Sequence, residues 1–92
     1  MIGTIRHRGL LRLYEDDDGR GVSAEHANRL RLILAAMDAA DRVEDLDVYS
    51  FRLHALKGDL RGHWAIVVRA NWRIVFRFAG GTATDIDLMD YH

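Results

Sequence analysis

The chain of 92 residues contains no cysteine and no proline. Without thiols there is no disulfide framework, no thiolate zinc site and no cysteine nucleophile. Without proline, glycine and asparagine carry the punctuation: Gly19-Arg20-Gly21, Lys57-Gly58-Asp59, Arg61-Gly62, Ala70-Asn71 and Gly80-Gly81 divide the chain. No apolar run approaches the roughly 18 residues of a membrane span, and Met1 to Arg6 does not read as a signal peptide, so the expected location is the cytoplasm with no membrane contact. No repeat or linker is evident, and a single domain over residues 1–92 is expected.

A hydrophobic fraction of 49% with 29% charged residues is the make-up of a folded globular chain and excludes wholesale disorder. The net charge of −1 argues, taken alone, against a nucleic-acid binder. Its distribution argues the other way. Residues 1–51 carry seven basic and ten acidic side chains. Residues 52–77 carry Arg52, Lys57, Arg61, Arg69, Arg73 and Arg77 against the single acid Asp59, and the remainder adds Asp85, Asp87 and Asp90. Local potential steers an anionic ligand, whatever the overall sum. Every basic residue but Lys57 is arginine, the side chain that forks onto phosphate or carboxylate. A solvated surface stripe is the plain alternative.

The pattern of apolar residues predicts an α+β fold. Ile2 to Ile5 reads as a short first strand, and Leu10, Leu13 and Tyr14 give an amphipathic helix over residues 7–15. Ala27, Leu30, Ile33, Leu34, Met37 and Ala40 recur at three and four, predicting a helix over about 24–41 with Ser23 as N-cap and Glu25 in the first turn. From Trp64 the period becomes two: Trp64, Ile66 and Val68, then Trp72, Ile74, Phe76 and Phe78, then Ile86 and Leu88. Helices first and strands last place two helices on one face of an antiparallel sheet formed by the C-terminal half. The other face then carries Arg69, Arg73 and Arg77 with Val67 and Val75 between them. A strict two-residue turn at Gly80-Gly81 sets Arg73 opposite Leu88 and mixes the faces. A three-residue Ala79-Gly80-Gly81 loop is therefore expected, pairing Ile74 with Ile86, Trp72 with Leu88 and Arg73 with Asp87.

Imidazole exchanges protons near neutrality, so the five histidines are the first candidates for acid–base chemistry. His7 and His26 open helices and read as surface residues, and His63 beside Trp64 has no evident partner. His54, Lys57 and Arg73 can converge with the terminal Asp90-Tyr91-His92 on the basic face. Such a group suits metal-free phosphodiester cleavage. A base takes the ribose 2′-hydroxyl proton, cations stabilise the phosphorane, and an acid protonates the leaving oxygen. Asp90 can equally orient a histidine, and Tyr91 can stack on a base of single-stranded RNA, whereas Trp64 and Trp72 alternate with aliphatic residues and read as core. A metal set of His54, His92 and Asp90 is disfavoured by the surrounding cations and by the lack of any close-spaced ligand pair, so no metal or other cofactor is expected.

Phe51-Arg52-Leu53-His54, Leu56-Lys57-Gly58, Trp64-Ala65-Ile66, Asn71-Trp72-Arg73-Ile74 and Asp90-Tyr91-His92 together resemble HigB-type toxins of the RelE/ParE superfamily, the plasmid maintenance killer proteins. Arg6-His7-Arg8-Gly9-Leu10 and Ala27-Asn28-Arg29-Leu30-Arg31-Leu32 extend the likeness over nearly the whole chain. The resemblance implies a RelE-like fold and a ribosome-dependent mRNA endonuclease that inhibits translation. It implies a HigA-like helix-turn-helix antitoxin, with operator DNA reached only through the toxin–antitoxin complex. It assigns catalysis to His54, Asp90, Tyr91 and His92, with Lys57 and Arg73 as cationic partners of the phosphate; Arg69 and Arg77 join them on the basic stripe. Family members usually carry proline where this chain has Ala55. Two other readings are a ParE-like toxin that inhibits DNA gyrase without cutting RNA, and a toxin-derived scaffold serving only its antitoxin.

Overall fold

A computed structural model describes residues 1–90. Helices α1 (Arg8–Asp16) and α2 (Ala27–Ala39) precede strands β1 (His54–Ala55), β2 (Trp64–Arg69), β3 (Trp72–Ala79) and β4 (Thr82–Asp90). The strands form one antiparallel sheet in the order β1-β2-β3-β4. Both helices bury their apolar stripes against one face of it. Leu10 and Leu13 of α1 and Leu30, Ile33, Leu34 and Met37 of α2 share a core with Ile66, Val68, Ile74, Phe76, Ala83 and Ile86. Trp64 and Trp72 pack partly buried against that core, as their alternation with aliphatic residues predicts. No helix among the described residues is long and apolar enough to cross a membrane.

Neither His7 nor His26 is simply a surface residue: His7 Nδ1 accepts the Leu10 amide at 3.2 Å and caps α1, and His26 is buried with its ring 5.8 Å from that of Trp72. Ser23, expected to cap α2, does not. Its carbonyl instead accepts the His26 amide at 3.0 Å, closing a turn that delays the helix to Ala27. The far end stops at Ala39 because Ala40 is extended, and the Met1 amino group donates to the carbonyls of Met37 and Ala40.

The β3–β4 hairpin corrects the expected register. The loop has two residues, Gly80 and Gly81, both at positive φ (59° and 77°), with Ala79 opposite Thr82. The faces stay sorted because β4 contains a bulge at Asp85, whose φ is +52°. The extra residue moves the partners by one, so Ile74 faces Leu88, Arg73 faces Met89 and Trp72 faces Asp90. The same bulge explains why Ile2 to Ile5 forms two isolated parallel bridges to β4, at Ala83 and Ile86, rather than the expected strand. Between those bridges the Asp85 amide donates to Thr4 Oγ1 at 2.8 Å instead of continuing a ladder.

Candidate active site

The sheet face opposite the helices carries part of the candidate set, His54, Arg73 and Arg77 among it. Register sets His54, Ala65, Val75 and Asp87 in one row across the four strands. Directly opposed residues share a face, so all four point the same way. Ala65 and Val75 are buried at the centre of the row, 1% exposed each, which gives the face a short apolar floor. Val67, Arg73 and Met89 form the next row towards the β2–β3 turn. On the other side, Arg77 lies opposite Thr84.

His54 occupies the edge strand and is exposed. Its Nδ1 lies 2.8 Å from the Arg52 carbonyl oxygen. A carbonyl only accepts, so Nδ1 carries the proton and Nε2 of the neutral ring is left as an acceptor. Arg52 adopts a left-handed conformation, φ +50°, at the end of the turn Tyr49–Phe51. That turn is fastened to the core by Arg29 of α2, which donates to the carbonyls of Ser50 and Val67 and lies 5.3 Å over the Phe51 ring. The histidine therefore stands on a segment tied to both α2 and β2.

The basic residues do not all gather here. Arg73 is half-buried and folds back, its Nη1 donating to the carbonyls of Ala70 and Trp72 at 2.6 and 3.1 Å. The expected cross-strand facing of Arg73 and Asp87 is absent because the bulge sets Met89 opposite Arg73. Asp87 accepts the Leu88 amide at 2.9 Å. Arg69, expected on the same face, is turned away by a second irregularity between Val67 and Arg69. It pairs with Glu25 at 3.3 Å and lines a pocket of about 330 Å³ with Ser23, His26, Ala70 and Trp72. Arg77 stays on the open face and is exposed, with its guanidinium against Gly62. Lys57 is exposed just beyond β1.

Asp90 ends β4 opposite Trp72, on the helix-side alternation, and is exposed. It is not brought to His54: three strand spacings alone separate β1 from β4 by roughly 14 Å. Tyr91 and His92 lie outside the described residues. Sequence reasoning gave His63 no partner. In the fold the Leu56 amide donates to its carbonyl, extending the β1–β2 ladder, so His63 lies diagonally from His54. Its signal was the pairing of Ala55 with Trp64, which no short turn motif announces.

The whole of this fold, site face included, falls within one family. Residues 3–92 match the family model described as the RelE-like toxin of the type II toxin–antitoxin system HigB. The chain is also 42% identical to the protein named Endoribonuclease HigB from Proteus vulgaris, over 92 residues that cover all of both chains. With helices, sheet and likeness extending through the same residues, this chain belongs to the HigB-like family of RelE-like toxins, proteins of type II toxin–antitoxin systems.

Proposed function

We propose that this toxin is a metal-independent endoribonuclease that cuts mRNA on the translating ribosome and is neutralised by a HigA-like helix-turn-helix antitoxin. The observation that carries the mechanism is His54, with Nδ1–H held by the Arg52 carbonyl so that Nε2 is a proton acceptor on the basic face. The full-length similarity to a protein named an endoribonuclease supports the same reading.

In this reading His54 Nε2 takes the proton of a ribose 2′-hydroxyl, and the oxygen attacks the adjacent phosphorus. Lys57, Arg73 and Arg77 balance the charge that builds on the phosphorane oxygens. The P–O5′ bond breaks to leave a 2′,3′-cyclic phosphate, and a general acid protonates the departing 5′-oxygen to give the 5′-hydroxyl. Asp90, Tyr91 and His92 complete the machinery; Asp90 belongs to it by adjacency to the terminal pair rather than by closeness to His54. Arg69, engaged by Glu25, adds charge only at the margin. Operator DNA is met through the antitoxin, and the site of action is the cytoplasm.

The test is brief induction of the lone chain in cells, with new 5′ ends mapped on mRNAs. In-frame cuts inside translated regions, absent with His54→Ala and with His92→Ala, are the expected result. His54 is exposed, so its removal should leave the melting temperature unchanged. Growth arrest without new RNA ends would transfer the toxicity to a protein target such as gyrase.

A further inference from the structure

On the nuclease reading, one group takes a proton from the attacking hydroxyl and another returns one to the leaving oxygen. The open face holds a second imidazole suited to the second task. His54 pairs with Ala65 and Ala55 with Trp64; the Leu56 amide then donates to the His63 carbonyl at 2.9 Å. His54 and His63 are thus diagonal neighbours on one face of an antiparallel pair, with Cα atoms roughly 7–8 Å apart. One residue beyond the Trp64–Phe76 pair, His63 also comes beside Arg77. The Arg77 guanidinium reaches that strand end: Nη2 lies 3.7 Å from where a Cβ on Gly62 would stand.

The two rings are tethered alike. His63 Nδ1 is 3.2 Å from the Leu60 carbonyl oxygen, as His54 Nδ1 is 2.8 Å from that of Arg52. Each ring therefore spends Nδ1–H on the backbone and has Nε2 left for proton exchange. We propose that His63 is the general acid that protonates the leaving 5′-oxygen, working across one phosphate from His54.

The atoms balance as follows. His54 Nε2 gains the 2′-hydroxyl proton, and the O2′–P bond forms. The P–O5′ bond breaks, and the imidazolium of His63 transfers Nε2–H to O5′. Arg77 supplies a fixed positive charge to the phosphate between them. The charged and titratable groups around His63 are His54 and Lys57 from the β1 side, Arg77 from β3, and Asp59 and Arg61 on its own loop. Lys57, Arg61 and Arg77 outweigh the single acid Asp59 in drawing an anion to the spot, and His54, neutral as the base, adds no charge.

The test compares single-turnover cleavage of one ribosome-bound mRNA by the wild type, His54→Ala, His63→Ala and His63→Gln between pH 5.5 and 8.5. A second substrate carries sulfur in place of the bridging 5′-oxygen at the cut, a leaving group that departs without a proton. His63→Ala and His63→Gln should slow cleavage of the ordinary substrate ~10²-fold or more and lose one limb of the pH profile. Both should recover most of the wild-type rate on the sulfur substrate, whereas His54→Ala should not. Melting temperatures of all four proteins report folding. Wild-type rates and pH profile in both His63 variants would overturn the assignment while leaving the nuclease reading intact. So would an equal loss on both substrates, which marks a structural role. A wild type that cuts neither substrate would bring down the nuclease reading itself.

Discussion

At residue scale the backbone decides which nitrogen or oxygen is available for chemistry. Arg52 in its left-handed conformation aims a carbonyl at His54 Nδ1, and the tautomer follows without any carboxylate to orient the ring. The same logic, run with donors instead of acceptors, governs Asp45. The amides of Arg42 and Asp41 donate to one of its carboxylate oxygens at 3.1 and 3.0 Å and hold the carboxyl below its ordinary range, the Arg42 amide most strongly. Asp18 is held low as well, first by the Arg20 side chain and then by the Arg20 amide. A carboxyl whose folded value is depressed stabilises the fold above its unfolded value. That contribution is lost as pH falls through the ordinary carboxylate range, near 4, and on through the lower folded value. The melting temperature should therefore drop on acidification from pH 5 towards pH 2. Asp45→Asn, which has no charge to lose, should drop less steeply over that window. Calorimetry of both proteins across the window checks this, and equal slopes would deny Asp45 its part.

At element scale, α1 meets the loop after it backbone to backbone. A Cβ on Gly9 would overlap the carbonyl group of Gly21, and a Cβ on Gly21 would come 2.7 Å from the Gly9 Cα. Neither neighbour is a side-chain tip that can swing aside. Gly9→Ala must therefore push α1 off the Gly19–Gly21 turn or move the turn, at a cost of roughly 1–3 kcal/mol. Alanine's better helix propensity returns less than that. Urea denaturation should show the midpoint falling with little change in slope. A neutral substitution would mean that the helix shifts freely along the core. Legibility from sequence divides along this same scale. Strands β2 to β4 and the core stripe of α2 were legible because each element repeats one period over several residues. What escaped were single-residue events. Asp85 inserts one residue and Val68 another, and neither aspartate nor valine marks a bulge in sequence. Ser23 escapes for a related reason: a serine suited to capping a helix begins a turn here instead. Strand β1 is two residues long and defined only by its partner, so the place of His63 beside His54 was hidden with it.

At the scale of the whole molecule the near-zero net charge is a sum of separated parts. The acid-rich first half, residues 1–51, contains both helices and lies behind the sheet, while Lys57, Arg61 and Arg77 are exposed on and around the segment that forms β1 to β3. An anionic strand approaching the open face meets Lys57, Arg61 and Arg77, with Asp87 the acid in the His54 row, while the helices' acids stand a sheet thickness behind. Part of that acid is also internally committed, Asp18 to Arg20, Asp17 to Arg31 and Glu25 to Arg69. A basic face on a slightly acidic protein should bind single-stranded RNA with a marked salt dependence, because each phosphate neutralised releases counterions. For a single strand the logarithmic slope is about −0.7 per phosphate contact. Arg77→Ala should flatten the slope by about that amount, weakening binding most at low salt. Arg20→Ala, which removes an equal charge from the turn that contacts α1, should leave the slope alone. Fluorescence anisotropy of a labelled single-stranded RNA between 50 and 300 mM salt separates the two. Equal flattening by both variants would mean that the strand responds to the sum of charge, and the face would lose its claim to be the interface.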